Sequence, residues 1–91
     1  MQFTWDVNKA ATNWTKHKVS FEKASTVFAD VFSLLIADPS HSEEENRLIL
    51  IGLSQRNRLL VVVHAENGET MRLISARPST AHERKQYEQG N

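Results

Sequence analysis

The chain has no cysteine, which excludes a disulfide framework and any metal site built on thiolates. It has three glycines and two prolines, so sharp turns and chain breaks are few and can be located individually. No apolar run approaches the roughly 20 residues of a membrane-crossing helix. The opening residues Met1-Gln2-Phe3-Thr4-Trp5-Asp6 lack the basic and apolar regions of a secretory signal. A cytoplasmic protein without membrane association is expected. Net charge is also absent, with eleven bases against eleven acids, which argues against a strongly basic, general nucleic-acid binder. His41, Asp38 and Glu43 share no spacing that fixes a coordination geometry, so neither a metal nor another cofactor is expected. With 91 residues, the chain predicts one small domain over 1–91 with a modest core.

What is present is unevenly placed. Residues 38–53 carry a net charge of −3, while residues 54–91 carry +2, mostly from arginine. The second segment holds the clearest structural signal, Arg58-Leu-Leu-Val-Val-Val-His64, then Asn67-Gly68, then Arg72-Leu-Ile-Ser-Ala-Arg77. An Asn-Gly pair between β-branched runs predicts a hairpin. If Asn67 and Gly68 form its two-residue turn, Glu66 faces Glu69, His64 faces Met71 and Arg58 faces Arg77. Alternation along a strand then puts Arg58, His64, Ser75 and Arg77 on one face. Two facing arginines repel unless an anion lies between them, and phosphate fits paired guanidinium forks.

The rest of the chain reads as short elements. Gln2–Trp5 is a candidate strand. Asp6 caps a helix to about His17, with Val7, Ala10, Ala11 and Trp14 as its apolar stripe. Ser20 caps a second helix, stapled by Val19 and Ala24, with Phe21, Ala24, Val27 and Phe28 buried. Strands follow over Phe32–Ala37 and Arg47–Ser54, separated by an acidic loop. Asn57 is suited to positive φ in the next turn. Pro78 stops the last strand, and Thr80-Ala-His-Glu83 is a capping box for a short polar helix. The order β-α-α-β-β-β-β-α predicts an α+β domain: an antiparallel meander with two N-terminal helices and one short C-terminal helix.

Several residues carry both a structural and a chemical reading. His64 is either a hydrogen-bonded histidine of the sheet or a general acid or base. Glu83 can neutralise Arg77. Arg72 falls on the opposite face, where an acid such as Asp30 or Glu22 would pair with it. Lys16 and His17 complement the dipole of the first helix and can also reach RNA or a partner. Trp5 and Trp14 are expected as core or interface anchors rather than as base-stacking platforms.

Trp5-Asp6, Asn13, Lys16-His17, Val19-Ser20-Phe21, Val27-Phe28-Ala29-Asp30, Ile51-Gly52-Leu53-Ser54, the Arg58–His64 run, Ile74-Ser-Ala-Arg77, Glu83-Arg84 and Tyr87-Glu88 together resemble the BrnT toxin family over nearly the whole chain. The resemblance implies a RelE-like fold and a ribonuclease toxin of a type II toxin–antitoxin system. It also implies an antitoxin partner, BrnA, with a ribbon-helix-helix DNA-binding domain, in a heterotetramer that represses its own operon and touches DNA only through the antitoxin. The chain departs from the family pattern in three places. Lys18 stands where Gly is usual, Asn57 replaces a turn Gly, and Ala65-Glu66-Asn67 replaces Thr-Glu-Arg.

The resulting expectation is a metal-independent endoribonuclease that causes growth arrest. RNA supplies its own 2′-hydroxyl nucleophile, so the protein must supply a base, an acid and cations. Arg58, His64, Arg77, Lys16 and Tyr87 are the candidate catalytic residues. Arg58, Arg77, His17, Arg72 and Glu83 are the candidate RNA contacts. The alternative is a non-catalytic module whose arginine face binds an acidic partner segment, as a co-repressor.

Overall fold

Asp6 both ends the first strand and starts the first helix. Its carboxylate accepts from the backbone N–H of Asn8 at 2.7 Å and of Lys9 at 3.4 Å, the pairing by which an N-cap satisfies orphan helix donors. In the computed structural model, which describes residues 1–39 and 46–90, β1 (Gln2–Trp5) leads into α1 (Val7–His17) and α2 (Phe21–Ser25). A 3-10 turn (Thr26–Ala29) follows, then β2 (Leu34–Ala37), β3 (Arg47–Leu53), β4 (Leu59–Asn67), β5 (Thr70–Pro78) and α3 (Ala81–Gln89). The acidic segment with His41 and Glu43 lies outside the described residues.

The sheet order is β1-β5-β4-β3-β2. Strands β2 to β5 form an antiparallel meander. β1 is added at the far edge, parallel to β5, so the sheet is mixed rather than purely antiparallel. Alternation splits the apolar residues between two faces. Leu60, Val62, Leu73 and Ala76 pack under Val19, Phe21, Ala24 and Val27. Ile51, Leu59 and Val61 form the opposite face, where Tyr87 of α3 packs.

The Ser20 cap accepts from Lys23 N–H at 3.1 Å, and Val19 and Ala24 are both buried, completing the staple. Thr80 and Glu83 form the capping box of α3. The stripe of α1 behaves differently. Val7 is 78% and Trp14 51% exposed, and the helix docks instead through Ala10, packed on the core, and the buried amide of Asn13. Apolar spacing located the helix but not its buried face, because a polar residue makes the main tie to the sheet. Trp14 is therefore not a core residue, whereas Trp5 packs edge-on against Phe21 with ring centroids 5.8 Å apart.

The hairpin also differs from its expected register. Asn67 pairs with Thr70, so the central pair is Gly68-Glu69 and the turn sits one residue later. Gly68 supplies the positive φ, +63°, the glycine-first pattern of a type II′ turn. A β-bulge follows: His64 pairs with Leu73 but Val63 pairs with Ser75, leaving Ile74 unmatched. One extra residue reverses which side chains share a face beyond it. Arg77 consequently lies opposite Val61, on the α3 face. Arg58 enters β4 on the side of α1. The predicted common face for Arg58, His64, Ser75 and Arg77 does not form.

Candidate functional site

The predicted site residues lie in several separate places. Arg58 lies at the start of β4, where the turn before it is fixed by local geometry. Asn57 takes φ 62°, and the Arg58 N–H donates to Ser54 Oγ at 3.2 Å. The guanidinium then reaches across to α1, Nη1 donating to the Lys18 carbonyl at 3.4 Å. Lys18, the C-cap of α1, has φ 55° and ψ 38°, the left-handed conformation that glycine occupies at least cost. Lys18, Lys23, Arg56 and Arg58 line one groove of about 440 Å³, bordered by Trp14 and with no acidic residue in its lining. On the other flank of α1, Lys16 and His17 border a second groove with Ser75.

Arg77 and Glu83 form the second place. Arg77 Nη1 and Nη2 donate to the two carboxylate oxygens of Glu83 at 2.8 and 2.7 Å, the bidentate pairing that orients a guanidinium most firmly. The hydrogen bonds from Arg77, opposed by partial burial, hold the Glu83 carboxyl down at about 2. Glu83 also accepts from Thr80 N–H at 2.8 Å, so one carboxylate joins the capping box to the end of β5. Further along α3, the Tyr87 hydroxyl donates to Asp30 Oδ2 at 2.7 Å. That carboxylate also accepts from Leu53 N–H at 2.8 Å, and its other oxygen from Phe32 N–H at 2.9 Å. Burial and the Asp30 carboxylate push the Tyr87 phenol up to about 12. Tyr87 is thus held as a donor, and its proton is tightly kept.

The third place is the core. His64 is fully buried and meets Phe28 edge-on, with ring centroids 4.8 Å apart. Neither ring nitrogen makes a close hydrogen bond among the described residues, and Nε2 stands 3.6 Å from Glu66 Oε1. Burial drives its pKa below the usual imidazole value, against the pull of Glu66. It cannot meet a substrate in this arrangement. Arg72 sits near the hairpin turn, opposite Ala65 and beside Thr4, at the other end of the sheet from Arg58.

The chain therefore gathers cations around one end of the sheet. Pro78 pairs with Leu60, and Ser79 N–H donates to the Leu59 carbonyl at 3.0 Å, so the end of β5 adjoins the start of β4. Arg58 lies on one side of this rim and Arg77 on the other. Lys18, Lys23 and Arg56 join Arg58 in the groove without having been singled out as RNA contacts, and Trp14, expected as an anchor, borders it exposed. A non-glycine residue in a left-handed cap was the available signal for Lys18; the others are brought together only by the packing of α1, α2 and the β3–β4 turn. Among the described residues, no group of three or more potential metal ligands occurs, and no helix is long and apolar enough to cross a membrane.

Comparison with known proteins adds three findings. The family described as "Ribonuclease toxin, BrnT, of type II toxin-antitoxin system" matches residues 5–83. The 1.1 Å crystal structure of the Brucella abortus ribonuclease toxin BrnT is similar, with a TM-score of 0.69 and 23% identity, covering 88% of this chain and 97% of that one. No functionally curated protein matches the sequence.

Proposed function

This chain belongs to the BrnT family of ribonuclease toxins of type II toxin–antitoxin systems, and from that premise we propose that it cleaves RNA by metal-independent attack of the 2′-hydroxyl on the adjacent phosphate. The observation that carries the reading is the groove of four cations without an acid, on a chain whose net charge is zero. Such focusing suits local phosphate binding better than a long electrostatic track.

In this reading the two arginines do not clamp one phosphate. They serve successive phosphates of a strand crossing the rim from the α1 side to the α3 side. Arg58 neutralises charge developing on the phosphoryl oxygens. Arg77, aimed by Glu83, holds the neighbouring phosphate with donors left outside the bidentate pair. Lys16 and His17, on the last turn of α1, supply the proton transfers, the strand passing over the end of that helix from the Arg58 groove to the groove that they border. His64 is structural. Tyr87 steadies α3 through Asp30. The fold is read as RelE-like. A BrnA-like ribbon-helix-helix antitoxin neutralises the toxin by laying an acidic segment over this rim, and the complex acts as the repressor in the cytoplasm.

The test is cleavage of a defined end-labelled RNA by the purified chain in EDTA. Products ending in 2′,3′-cyclic phosphate, with strong loss in Arg58→Ala, are the expected result. Unbroken RNA under these conditions and in the presence of ribosomes, with normal growth on induction of the lone chain, would favour a co-repressor role without catalysis.

A further inference from the structure

Trp14 is 51% exposed on a helix that could have turned it inward. The Lys18 ammonium stands over its ring, 5.6 Å from the centroid. Lys18 reaches that position from its left-handed cap, where its N–H donates to the Trp14 carbonyl at 2.9 Å. An L-residue with a side chain is disfavoured in that conformation and glycine is not. A strained backbone position that carries a cation directs attention to what the cation does. Trp14 and Lys18 border the same groove as Arg58, and Arg58 is bonded to the Lys18 carbonyl.

An exposed aromatic ring on the border of a groove of cations is the arrangement that holds single-stranded nucleic acid. The ring takes the π-face of a base and the cations take the flanking phosphates. We propose that the groove is a nucleobase-stacking subsite. An unpaired base of the RNA lies on the Trp14 indole, and the flanking phosphates lie on Lys18 and Arg58. Lys18 leaves the ring face for the phosphate as the base arrives. The inference rests on the ribonuclease reading above and narrows its substrate to single-stranded RNA. Bases inside a duplex are already stacked on their neighbours and cannot offer a face to the ring.

The experiment uses the purified full chain and an unstructured 2′-O-methyl oligonucleotide, which lacks the nucleophilic hydroxyl and stays intact. Binding is followed by anisotropy of a labelled strand and by quenching of tryptophan emission, with the same strand annealed to its complement as the comparison. Trp14→Ala should weaken binding of the single strand by about 5- to 150-fold, with partial recovery in Trp14→Phe. The salt dependence should be the same in wild type and both variants, because the number of neutralised phosphates is unchanged. Lys18→Ala should instead lower the salt slope by about one. Unchanged binding in Trp14→Ala alongside weakened binding in Arg58→Ala would overturn the stacking subsite and leave the phosphate groove standing. Absence of binding by the wild type would overturn both. Equal affinity for the duplex would overturn the single-strand preference, a comparison that needs no variant and so survives any folding defect.

Discussion

The side chain of Asn13 behaves as a one-residue strand against Ala76. Its Nδ2 donates to the Ala76 carbonyl at 2.8 Å, and its Oδ1 accepts from the Ala76 N–H at 3.0 Å. Nδ2 also donates to the Val19 carbonyl at 2.9 Å. β1 ends its pairing at Leu73, so these bonds close part of the β5 edge that β1 leaves open and fix α1 beside it. Asn13→Ala should destabilise the protein by about 2–4 kcal/mol, because buried backbone groups lose their partners. Asn13→Asp should be worse, since a carboxylate cannot donate to two carbonyls. Equilibrium denaturation in urea would measure both, and a loss below about 0.5 kcal/mol in Asn13→Ala would show the tie to be incidental.

His64 should make stability depend on pH. Its folded-state pKa is depressed, chiefly by burial, so the unfolded chain binds a proton more readily than the folded one. Stability is therefore fully present above the unfolded value of 6.5 and is lost as pH falls below it, until the folded-state value is passed. Phe28 and Glu66 are the neighbours that set this environment. Denaturation midpoints measured from pH 7.5 down to 5 should fall in the wild type and flatten in His64→Leu. Parallel curves would assign the pH dependence to other groups.

Glu83 responds in a lower window. Its carboxyl is drawn from 4.5 to about 2, first by the hydrogen bonds from Arg77. The stability that it contributes is present above 4.5 and is lost as pH falls towards 2. The loss should be local. α3 has no buried residue and is held by the Arg77–Glu83 pair and the Tyr87–Asp30 bond. Protection of the α3 amides, relative to their intrinsic exchange rate at each pH, should therefore fall below pH 4.5 before that of the sheet. Glu83→Gln should show that loss of protection already at neutral pH.

Much of the architecture was legible because it depends on local chemistry. Asp6, Ser20 and Thr80 each marked a helix start through a side-chain bond to nearby backbone, and the β-branched runs marked β3, β4 and β5. The site was less legible for two local reasons. Asn67-Gly68 located a turn without fixing which two residues are central, and nothing at Ile74 announced the bulge. The first changed which residues stand opposite one another, and the second moved Arg77 to the face away from Arg58. His64 looked chemical because imidazole titrates near neutrality, yet its strand neighbours Val62 and Leu60 are core residues, and alternation from them points inward. Trp14, read as an anchor for its size, lies on the exposed side because Asn13 rather than the apolar stripe docks α1.

Lys18 offers a test in which stability and binding move in opposite directions. Lys18→Gly relieves the left-handed conformation, worth roughly 1–2 kcal/mol, while raising the entropy of the unfolded chain by somewhat less. The variant should be up to about 1 kcal/mol more stable in thermal denaturation. It should also bind single-stranded RNA less tightly, having lost a cation from the groove. A variant that is less stable would show that the contact with Trp14 outweighs the backbone cost.

Gly52 joins the core to the hydrogen bonds that hold α3. A Cβ there would stand 2.9 Å from Val27 Cγ1, 3.0 Å from Ser33 Cβ and 3.1 Å from Asp30 Oδ2. The 3-10 turn carrying Val27 would have to lift from β3, and the Asp30 carboxylate would move with it. Gly52→Ala should cost about 1–3 kcal/mol, the range for overpacking a close contact. The displacement has a second readout. Tyr87 is the chain's one tyrosine, and its phenol is held up at about 12 by burial and by its bond to Asp30. If Asp30 shifts, that bond lengthens and the phenol should titrate closer to its ordinary value of 10. Alkaline titration followed by tyrosinate absorbance would detect this directly. Lost stability with an unchanged Tyr87 titration would place the strain in the Val27 contact alone, leaving Asp30 and its grip on α3 intact.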